Sequence, residues 1–495
     1  MERRSTWTEA DGRAAALLLA QGRDPDEVTD WRHPDCVVYL DLGVRRLSGY
    51  EAGLDRSRPW HFVLASRAET ALCHYDGLER HAALRHVTTG SPLRLSLTVV
   101  RCADWAAPVR ARARRVLARV LAEDPASALR HLTPVVLRIG RRVQGGWAVE
   151  LFEEALRDPA HAGVLAELRA STDRATARCA ARITLEAGLL DARELAALAA
   201  HAVHDPLVQR LWTDGALARL AADGPDERVT ELLLGARSGH VRAAGVTSLR
   251  AAGRQEQAYD HLDDPSGLVR ACARWLVGQA GGEPRARYLE LCADPARVSG
   301  AAVTGLTECG QRGDAPVLRA LLAHPDGRVR AAALAGLREL GTVTTGELLP
   351  LLDDPYPAVT REAAVSLASW AAWLPVAELT ARIAADRPSH TRRAAFRLLR
   401  TRGGMDGLRA AVAMLTDREP ALRSIAGAMV RDWHWEAALR TAGTDPAELE
   451  ELFRRAAPAF DGSHRGAALR TRLGFAECEE PEEPGEPAQS EEATP

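Results

Sequence analysis

The strongest candidate for metal chemistry is a cluster of one cysteine and three histidines, Cys73, His74, His81 and His86. Thiolate and imidazole are ligands that zinc prefers, but a zinc site needs them to converge on one point. His81 and His86 are five residues apart and do not share a helix face. We therefore interpret these side chains as ordinary structural positions. The eight cysteines include no Cys-x-x-Cys pair and are expected to be buried thiols.

Motifs for catalysis are equally absent from the sequence. It contains no phosphate-binding loop, no G-x-S-x-G nucleophile motif and no H-E-x-x-H helix. The triplet Trp433-His434-Trp435 is unusual, but Trp433 falls at a position that we expect in the core. The sequence thus predicts no catalytic residue, no metal and no cofactor, and we expect that the protein is not an enzyme.

Arginine is the residue type that can do chemistry here, because all 64 basic residues are arginine. A planar, forked guanidinium binds a carboxylate or a phosphate through two parallel hydrogen bonds. Any anion that this protein recognises is therefore held in that way. A GC-rich genome is the simpler explanation for the missing lysine, and escape from lysine-directed modification is the alternative.

A repeat positions these arginines. In segments 237–253, 263–281, 293–310 and 324–341 a valine anchor is followed by a small residue four positions later and by glycine twelve positions later. Apolar residues at offsets 8 and 11 complete one helical face, which predicts an amphipathic helix. With a degenerate unit near 125–160, about twelve repeats are expected, and the further anchors are Glu79, Val109, Ala177, Val208, Val359, Thr391 and Leu422.

The ends of the repeat helix carry their own signals. Asp264, Asp294 and Asp326 precede the helix at predicted N-cap positions. The glycines at offset 12 are expected in the left-handed conformation that ends a helix, and they are Gly253, Gly281, Gly310 and Gly341.

The pattern Asp-Pro, Val-Arg, Ala, Leu, Gly at about 30 residues resembles HEAT repeats, in the short variety also seen in phycobilin-lyase-like proteins. The resemblance covers roughly residues 70–440. It implies an all-α fold, an armadillo-type α-solenoid in which the anchored helix of each repeat lines the concave side. HEAT-repeat hydroxylases that hold two irons use His-Glu pairs, and this sequence has none. HEAT-like DNA glycosylases place Trp and Asp in a cationic groove, to which Trp275 is only loosely similar.

One row of arginines directly follows the anchors. The resemblance implies that these side chains form an Arg–Asp ladder between adjacent repeats, and an aspartate lies three to five residues before ten of the eleven anchors. A row of anion contacts is the alternative. The residues are Arg80, Arg110, Arg178, Arg242, Arg270, Arg330, Arg392 and Arg423.

A second row lies at offsets 2, 6 and 9, opposite to the buried stripe. These 33 positions hold ten arginines, among them Arg210, but only two acids, Glu186 and Asp214. A merely solvated face would carry mixed charge, so we predict a basic concave groove in which Trp275 is an aromatic anchor. The predicted partner-binding residues are Arg85, Arg115, Arg250, Trp275, Arg338, Arg361, Arg393, Arg397, Arg400 and Arg431.

The chain is expected to comprise four regions. Residues 1–70 are an atypical N-terminal cap region, with a helix near 8–21 and then an irregular stretch that contains the sequence CVVYLDL. Residues 71–440 form the solenoid, and 441–476 are C-terminal capping helices. Residues 477–495 carry eight acids and no base, and are predicted to be a disordered acidic tail.

The expected function is a non-enzymatic scaffold whose groove binds an acidic protein or peptide. Nucleic-acid binding through Arg–phosphate contacts without sequence specificity is the alternative, and an enzyme of the lyase-like or glycosylase-like HEAT type is the second. A separate hypothesis is that tail 477–495 folds back onto the groove. No run of 18 apolar residues predicts a membrane span, and acids before the run Ala14–Ala20 argue against a secretion signal, so a cytoplasmic protein is expected.

Overall fold

A computed structural model describes residues 6–49, 67–88, 90–201, 205–440, 444–460 and 464–475. Within these ranges every regular element is a helix, as the sequence predicts. The chain divides into two compact units, which are described separately. Unit 1 comprises Met1–Ala258 and Ala271–Leu276, and unit 2 comprises Tyr259–Arg270 and Val277–Pro495.

The α-helices before residue 259 are α1 (Glu9–Ala20), α2 (Pro25–Val28), α3 (Pro34–Ser48), α4 (Ala68–Ala71), α5 (Gly77–Ala83), α6 (Pro92–Arg101), α7 (Ala107–Glu123), α8 (Pro125–Ile139), α9 (Gly146–Arg157), α10 (Ala162–Arg169), α11 (Arg174–Glu186), α12 (Ala192–His201), α13 (Pro206–Asp223), α14 (Glu227–Leu234) and α15 (Gly239–Ala251). Short 3-10 helices in this part of the chain are Leu84–His86 and Pro159–His161, and a third, Gln255–His261, crosses into unit 2.

The later α-helices are α16 (Gly267–Gln279), α17 (Pro284–Ala293), α18 (Gly300–Cys309), α19 (Ala315–Ala320), α20 (Gly327–Glu339), α21 (Thr345–Leu348), α22 (Pro357–Leu367), α23 (Val376–Arg382), α24 (Ser389–Arg402), α25 (Gly404–Met414), α26 (Pro420–Asp432), α27 (Trp435–Leu439), α28 (Pro446–Arg455) and α29 (His464–Leu473). The 3-10 helices here are Arg312–Asp314, Leu321–Ala323, Pro350–Asp353, Ala368–Trp373 and Ala457–Ala459.

The predicted buried stripe is confirmed at offsets 0, 4 and 8 of α20, α22, α24 and α26, but it is wrong at offset 11, where Leu340 and Trp433 are only half-buried. In α20, Val329, Ala333 and Leu337 are each no more than 1% exposed. Helix α18 contacts α20, α20 contacts α22, and α22 contacts α24. The small residue at offset four lets each neighbour approach closely, and the anchored helices therefore form one layer.

The predicted N-caps are confirmed for Asp326 but not for the other two aspartates. Asp326 accepts a hydrogen bond from the Arg328 amide and caps α20. Asp264 and Asp294 accept from the amide two residues later, yet α16 begins only at Gly267 and α18 only at Gly300. Ser299 caps α18 instead, so that this helix starts after its anchor Val298.

Three of the four predicted left-handed glycines are confirmed. Gly253, Gly281 and Gly341 have φ of 68°, 81° and 65°. Gly310 has φ −80° and ψ 175°, because the chain continues there in an extended conformation towards a cap formed by Gln311 and Asp314. A Cβ atom on Gly310 would lie 2.5 Å from the Leu306 carbonyl oxygen, so glycine is still required.

The irregular stretch predicted around CVVYLDL is wrong, because these residues lie in α3. Their apolar side chains recur with the helical period, and Val37, Leu40 and Val44 are fully buried. The helix predicted near 8–21 is confirmed as α1, and α3 packs against it. At the crossing a Cβ on Gly12 would lie 2.2 Å from the Tyr39 carbonyl oxygen, so only glycine permits this contact.

Within the described residues, no helix has both the length and the apolar character needed to cross a membrane. Helix α28 begins after Asp445, which accepts a hydrogen bond from the Ala447 amide. The boundaries at residues 70, 440 and 476 stay predictions. The acidic tail 477–495 lies outside the described residues.

Candidate functional site

The first row of arginines joins consecutive repeats. The Arg392 guanidinium donates to both Asp417 oxygens at 2.7 and 2.9 Å, and Arg330 binds Asp354 at 2.9 and 2.7 Å. In each case Nη1 also donates to a carbonyl oxygen of its own preceding loop. Arg80 with Asp104 and Arg178 with Asp205 repeat the pairing in unit 1. These are the predicted ladder contacts, so their guanidinium groups are already bound within the protein.

Other members of this row deviate from the ladder. Arg270 binds Glu308, ten residues beyond the next anchor, at 2.5 and 3.2 Å. Arg110 and Arg423 donate to two carbonyl oxygens of their own loops. Arg270 therefore still joins two repeats, whereas Arg110 and Arg423 stabilise only the turn before their own helix.

Helices α20, α22, α24 and α26 of unit 2 carry six residues of the second row. Arg338 is half-buried, while Arg361, Arg393, Arg397, Arg400 and Arg431 are exposed. On α24 the contrast is sharp, since Arg393, Arg397 and Arg400 are exposed whereas Thr391, Ala395 and Leu399 are at most 1% exposed. We call the surface formed by these six arginines the arginine face.

The offset rule fails at several positions. Ala243 and Ala331 were expected on the open surface but are 4% and 9% exposed. On α11 the corresponding residues Cys179 and Ile183 are also buried. Helix α11 contacts α8, α9, α10 and α13.

Four residues of the arginine face line one open cavity of about 550 Å³ between α22, α24 and α26. They are Arg361, Arg393, Arg397 and Arg400. The other lining side chains are mainly apolar, and they come from all three helices: Pro357, Ala394, Phe396, Leu422 and Ile425, with Ser389 and His390 at the start of α24. We call this the α24 cavity.

The charges around the α24 cavity are unbalanced. Arg393 is ion-paired with Glu419, and Arg361 Nε lies 3.7 Å from Glu362 Oε1. Within the described residues no carboxylate lies within 4.0 Å of the guanidinium of Arg397 or Arg400. Four guanidinium groups therefore face two carboxylates, and two of the four remain available for an external anion.

The other arginines of this face lie beside the cavity. Arg338 Nη2 is 3.7 Å from Glu339 and 3.8 Å from Glu362, which it shares with Arg361. Arg431 donates to the Ala459 carbonyl oxygen at 3.2 Å. These contacts leave both side chains less free than Arg397 and Arg400.

The predicted residues of unit 1 do not form one cluster of this kind. The Arg250 guanidinium carbon lies 5.4 Å from the centroid of the Trp275 ring, which is a cation–π contact. Trp275 is 48% exposed, as expected for an anchor. Arg85 and Arg115 are exposed on the 3-10 helix Leu84–His86 and on α7.

The Cys73 and histidine cluster does not form a metal site. Within the described ranges no three His, Cys, Asp or Glu side chains are arranged to hold a metal ion. Cys73 is fully buried, and burial raises the pKa of its thiol well above the ordinary value. A protonated, buried thiol is neither a good ligand nor a good nucleophile.

Sequence reasoning missed the apolar lining of the cavity. Phe396 and Ile425 lie at different offsets from their anchors, and Leu422 is itself an anchor, so no single offset selects the three. It also missed a buried ion cluster of unit 1. Arg101 is fully buried between Asp41 and Asp104, and Arg80 binds the same Asp104.

Comparison with known proteins identifies the repeat. A sequence model described as HEAT repeats matches residues 286–369, the segment that contains α18 and α20. A search of curated protein sequences finds no match. The matched segment also contains α22, which contributes Pro357 and Arg361 to the α24 cavity.

Similar solved structures include Kap121p bound to Nup53p, importin beta, and UNC-45 from Drosophila melanogaster. The first is 13% identical with a TM-score of 0.31 over 82% of this chain and 54% of that one. Importin beta is 12% identical, with a TM-score of 0.30 over 94% and 65%. UNC-45 is 12% identical, with a TM-score of 0.22 over 94% and 84%. The chain thus spans about half to two thirds of the first two.

These similarities are too low to support a partner or an activity. The identification depends instead on the matched repeats and on the helix pairs that continue through the described residues of each unit. Within the described residues the protein is all-α, and its residues 286–369 match the HEAT-repeat family.

Proposed function

We propose that the protein is a non-enzymatic scaffold that binds an acidic protein or peptide through its arginine face. One observation carries the proposal: four arginines from two helices line one cavity, and two of them have no carboxylate partner among the described residues. Guanidinium groups left without a counter-charge on an open surface attract anions and gain most from a partner that supplies carboxylates.

The ladder arginines support this proposal by contrast. Arg330 and Arg392 are bound to aspartates and to loop carbonyls, and both are largely buried. Their charge is neutralised locally, and so they do not contribute free binding groups. The chain therefore contains one set of arginines that holds the repeats together and another that remains available.

The geometry of α24 fits an extended acidic segment. Arg393, Arg397 and Arg400 are four and three residues apart, so they rise by about 6 and 4.5 Å along the helix. In an extended peptide, side chains on the same side are about 6.6 Å apart. Alternate carboxylates of such a peptide can therefore reach successive arginines.

The partner class is tested by measuring the affinity of the full-length chain for labelled poly-glutamate, duplex DNA, single-stranded DNA and RNA. We expect poly-glutamate to bind at low ionic strength and to weaken as salt screens the charges. Absence of poly-glutamate binding at low ionic strength would refute the proposal. Binding of a nucleic acid more tightly than poly-glutamate at physiological ionic strength would assign the arginine face to phosphate recognition instead.

A further inference from the structure

We propose that the α24 cavity receives one bulky aliphatic side chain of the acidic partner, while the neighbouring carboxylates of the same segment bind the arginines around it. This inference rests on the proposed function and goes beyond it, because it specifies an acidic segment that is interrupted by a leucine-like residue.

The lining of the cavity is the first reason. Its volume of about 550 Å³ lies within the usual range for ligand pockets. Pro357 and Ile425 present accessible aliphatic surface from α22 and α26, above the buried Leu422. A purely acidic peptide would leave this aliphatic surface in contact with water or place carboxylates against it. Neither arrangement removes apolar surface from water. An aliphatic side chain would bury it.

Ile425 is the second reason. It is 37% exposed on α26, one position before the fully buried Ala426 and three after Leu422, which is 1% exposed. An isolated exposed isoleucine needs no explanation. Here it belongs to a concave surface with charged groups at its margin, which is the usual arrangement of an apolar anchor pocket with a polar rim.

The position of the guanidinium groups is the third reason. The cavity is lined by Arg397 and Arg400 from the same helix that contributes Ala394 and Phe396. Arg361 also lines the cavity and comes from α22. An apolar side chain in the cavity would therefore be surrounded by guanidinium groups. Carboxylates on the neighbouring residues of the same peptide could bind those groups.

The character of the apolar surface favours a peptide over a nucleic acid. Single-stranded nucleic acids bind by stacking their bases on exposed aromatic rings. Phe396 is the aromatic residue of the cavity other than His390, and it is only 2% exposed. The accessible surface is aliphatic, and it suits a leucine or isoleucine side chain better than a base.

The experiment uses two labelled peptides of equal length and charge, poly-glutamate with one central leucine and poly-glutamate with one central alanine. Affinity for the full-length protein is measured at low ionic strength for wild type, I425N and a matched control, L268N. Leu268 is 50% exposed on α16, away from the cavity lining. Far-ultraviolet circular dichroism and thermal unfolding verify that both variants are folded.

We expect the leucine peptide to bind wild type at least about fourfold more tightly than the alanine peptide, as burial of even one additional methylene group implies. I425N should reduce this ratio to about one, because a polar side chain in the lining no longer favours the larger aliphatic residue. L268N should keep the wild-type ratio.

Two results would overturn the inference and still leave the proposed function intact. Equal affinity of wild type for both peptides would exclude an apolar anchor while acidic binding still holds. A leucine preference that survives in I425N would place the anchor elsewhere. If neither peptide binds at low ionic strength, the proposed function itself fails. If single-stranded DNA displaces the peptides and loses affinity in I425N, the cavity belongs to nucleic acid.

Discussion

Two arginines on α24, five residues apart, have opposite environments. Arg392 is 7% exposed and held by Asp417, whose side chain is 4% exposed, while Arg397 is exposed and has no carboxylate partner within the described residues. Residue type is the same in both cases. Their positions on the helix decide their roles, because offset 1 faces the next repeat and offset 6 faces solvent.

The difference predicts unequal effects on stability. R392A should lower the free energy of unfolding by about 3–5 kcal/mol, because Asp417 then remains buried without a counter-charge. R328A is the matched control, since the Arg328 side chain is 75% exposed and pairs with Asp326 at the surface. We expect it to change stability by no more than about 0.5 kcal/mol. Equal urea-unfolding midpoints for the two variants would contradict this role of the ladder.

The ion pair between Arg285 and Asp314 makes the free energy of unfolding depend on pH. The Arg285 guanidinium donates to Asp314 and holds the pKa of that buried carboxyl below its ordinary value. A lowered folded pKa stabilises the protein above the unfolded pKa, about 3.9, and this contribution is lost as pH falls through the folded pKa. We expect D314N to unfold more readily than wild type at neutral pH, with the difference decreasing below about pH 4. A difference that is constant over this range would refute the linkage.

At the scale of the element, the sequence predicted helices well wherever a repeat gave several copies of one pattern. The buried stripe of α20 and the N-cap at Asp326 follow from side-chain period and capping chemistry alone. Helix α3 was predicted as an irregular stretch although its apolar period is helical, because residues such as Val37 and Val38 lie outside the repeat and have no second copy for comparison.

The crossing of α1 and α3 gives a prediction at this scale. G12A should destabilise unit 1 by about 1–3 kcal/mol, because its Cβ would lie 2.2 Å from a main-chain oxygen and the helices must separate. Gly163 in α10 is the matched control, since a Cβ there meets no atom within 4 Å. G163A should stabilise by about 0.5–1 kcal/mol through helix propensity. Thermal unfolding compares the two, and a stable G12A variant would contradict the close crossing.

At the scale of the whole molecule, sequence periodicity located the arginines but not the cavity. Arg361, Arg393, Arg397 and Arg400 follow from offsets counted along single helices. The apolar lining does not, because Pro357, Phe396 and Ile425 meet only through the packing of three helices. Cys179 and Ile183 on α11 show the same limit. The offset rule assumes that every anchored helix has one open face, but these two residues are buried.

The central claim is that unpaired arginines of the arginine face, rather than the general charge of the surface, bind the acidic partner. The most direct measurement compares the affinity of wild type, R397A/R400A and R297A/R312A for one labelled poly-glutamate peptide at fixed ionic strength. Arg297 and Arg312 are exposed and also have no carboxylate partner among the described residues, so both variants remove the same charge.

We predict that R397A/R400A weakens binding at least about tenfold, because two charge-assisted hydrogen-bonding groups are lost. The control pair should change the affinity by less than about twofold, as expected for screened charges away from the site. Equal losses in the two variants would contradict the account, since binding would then depend on total charge and not on the arginine face.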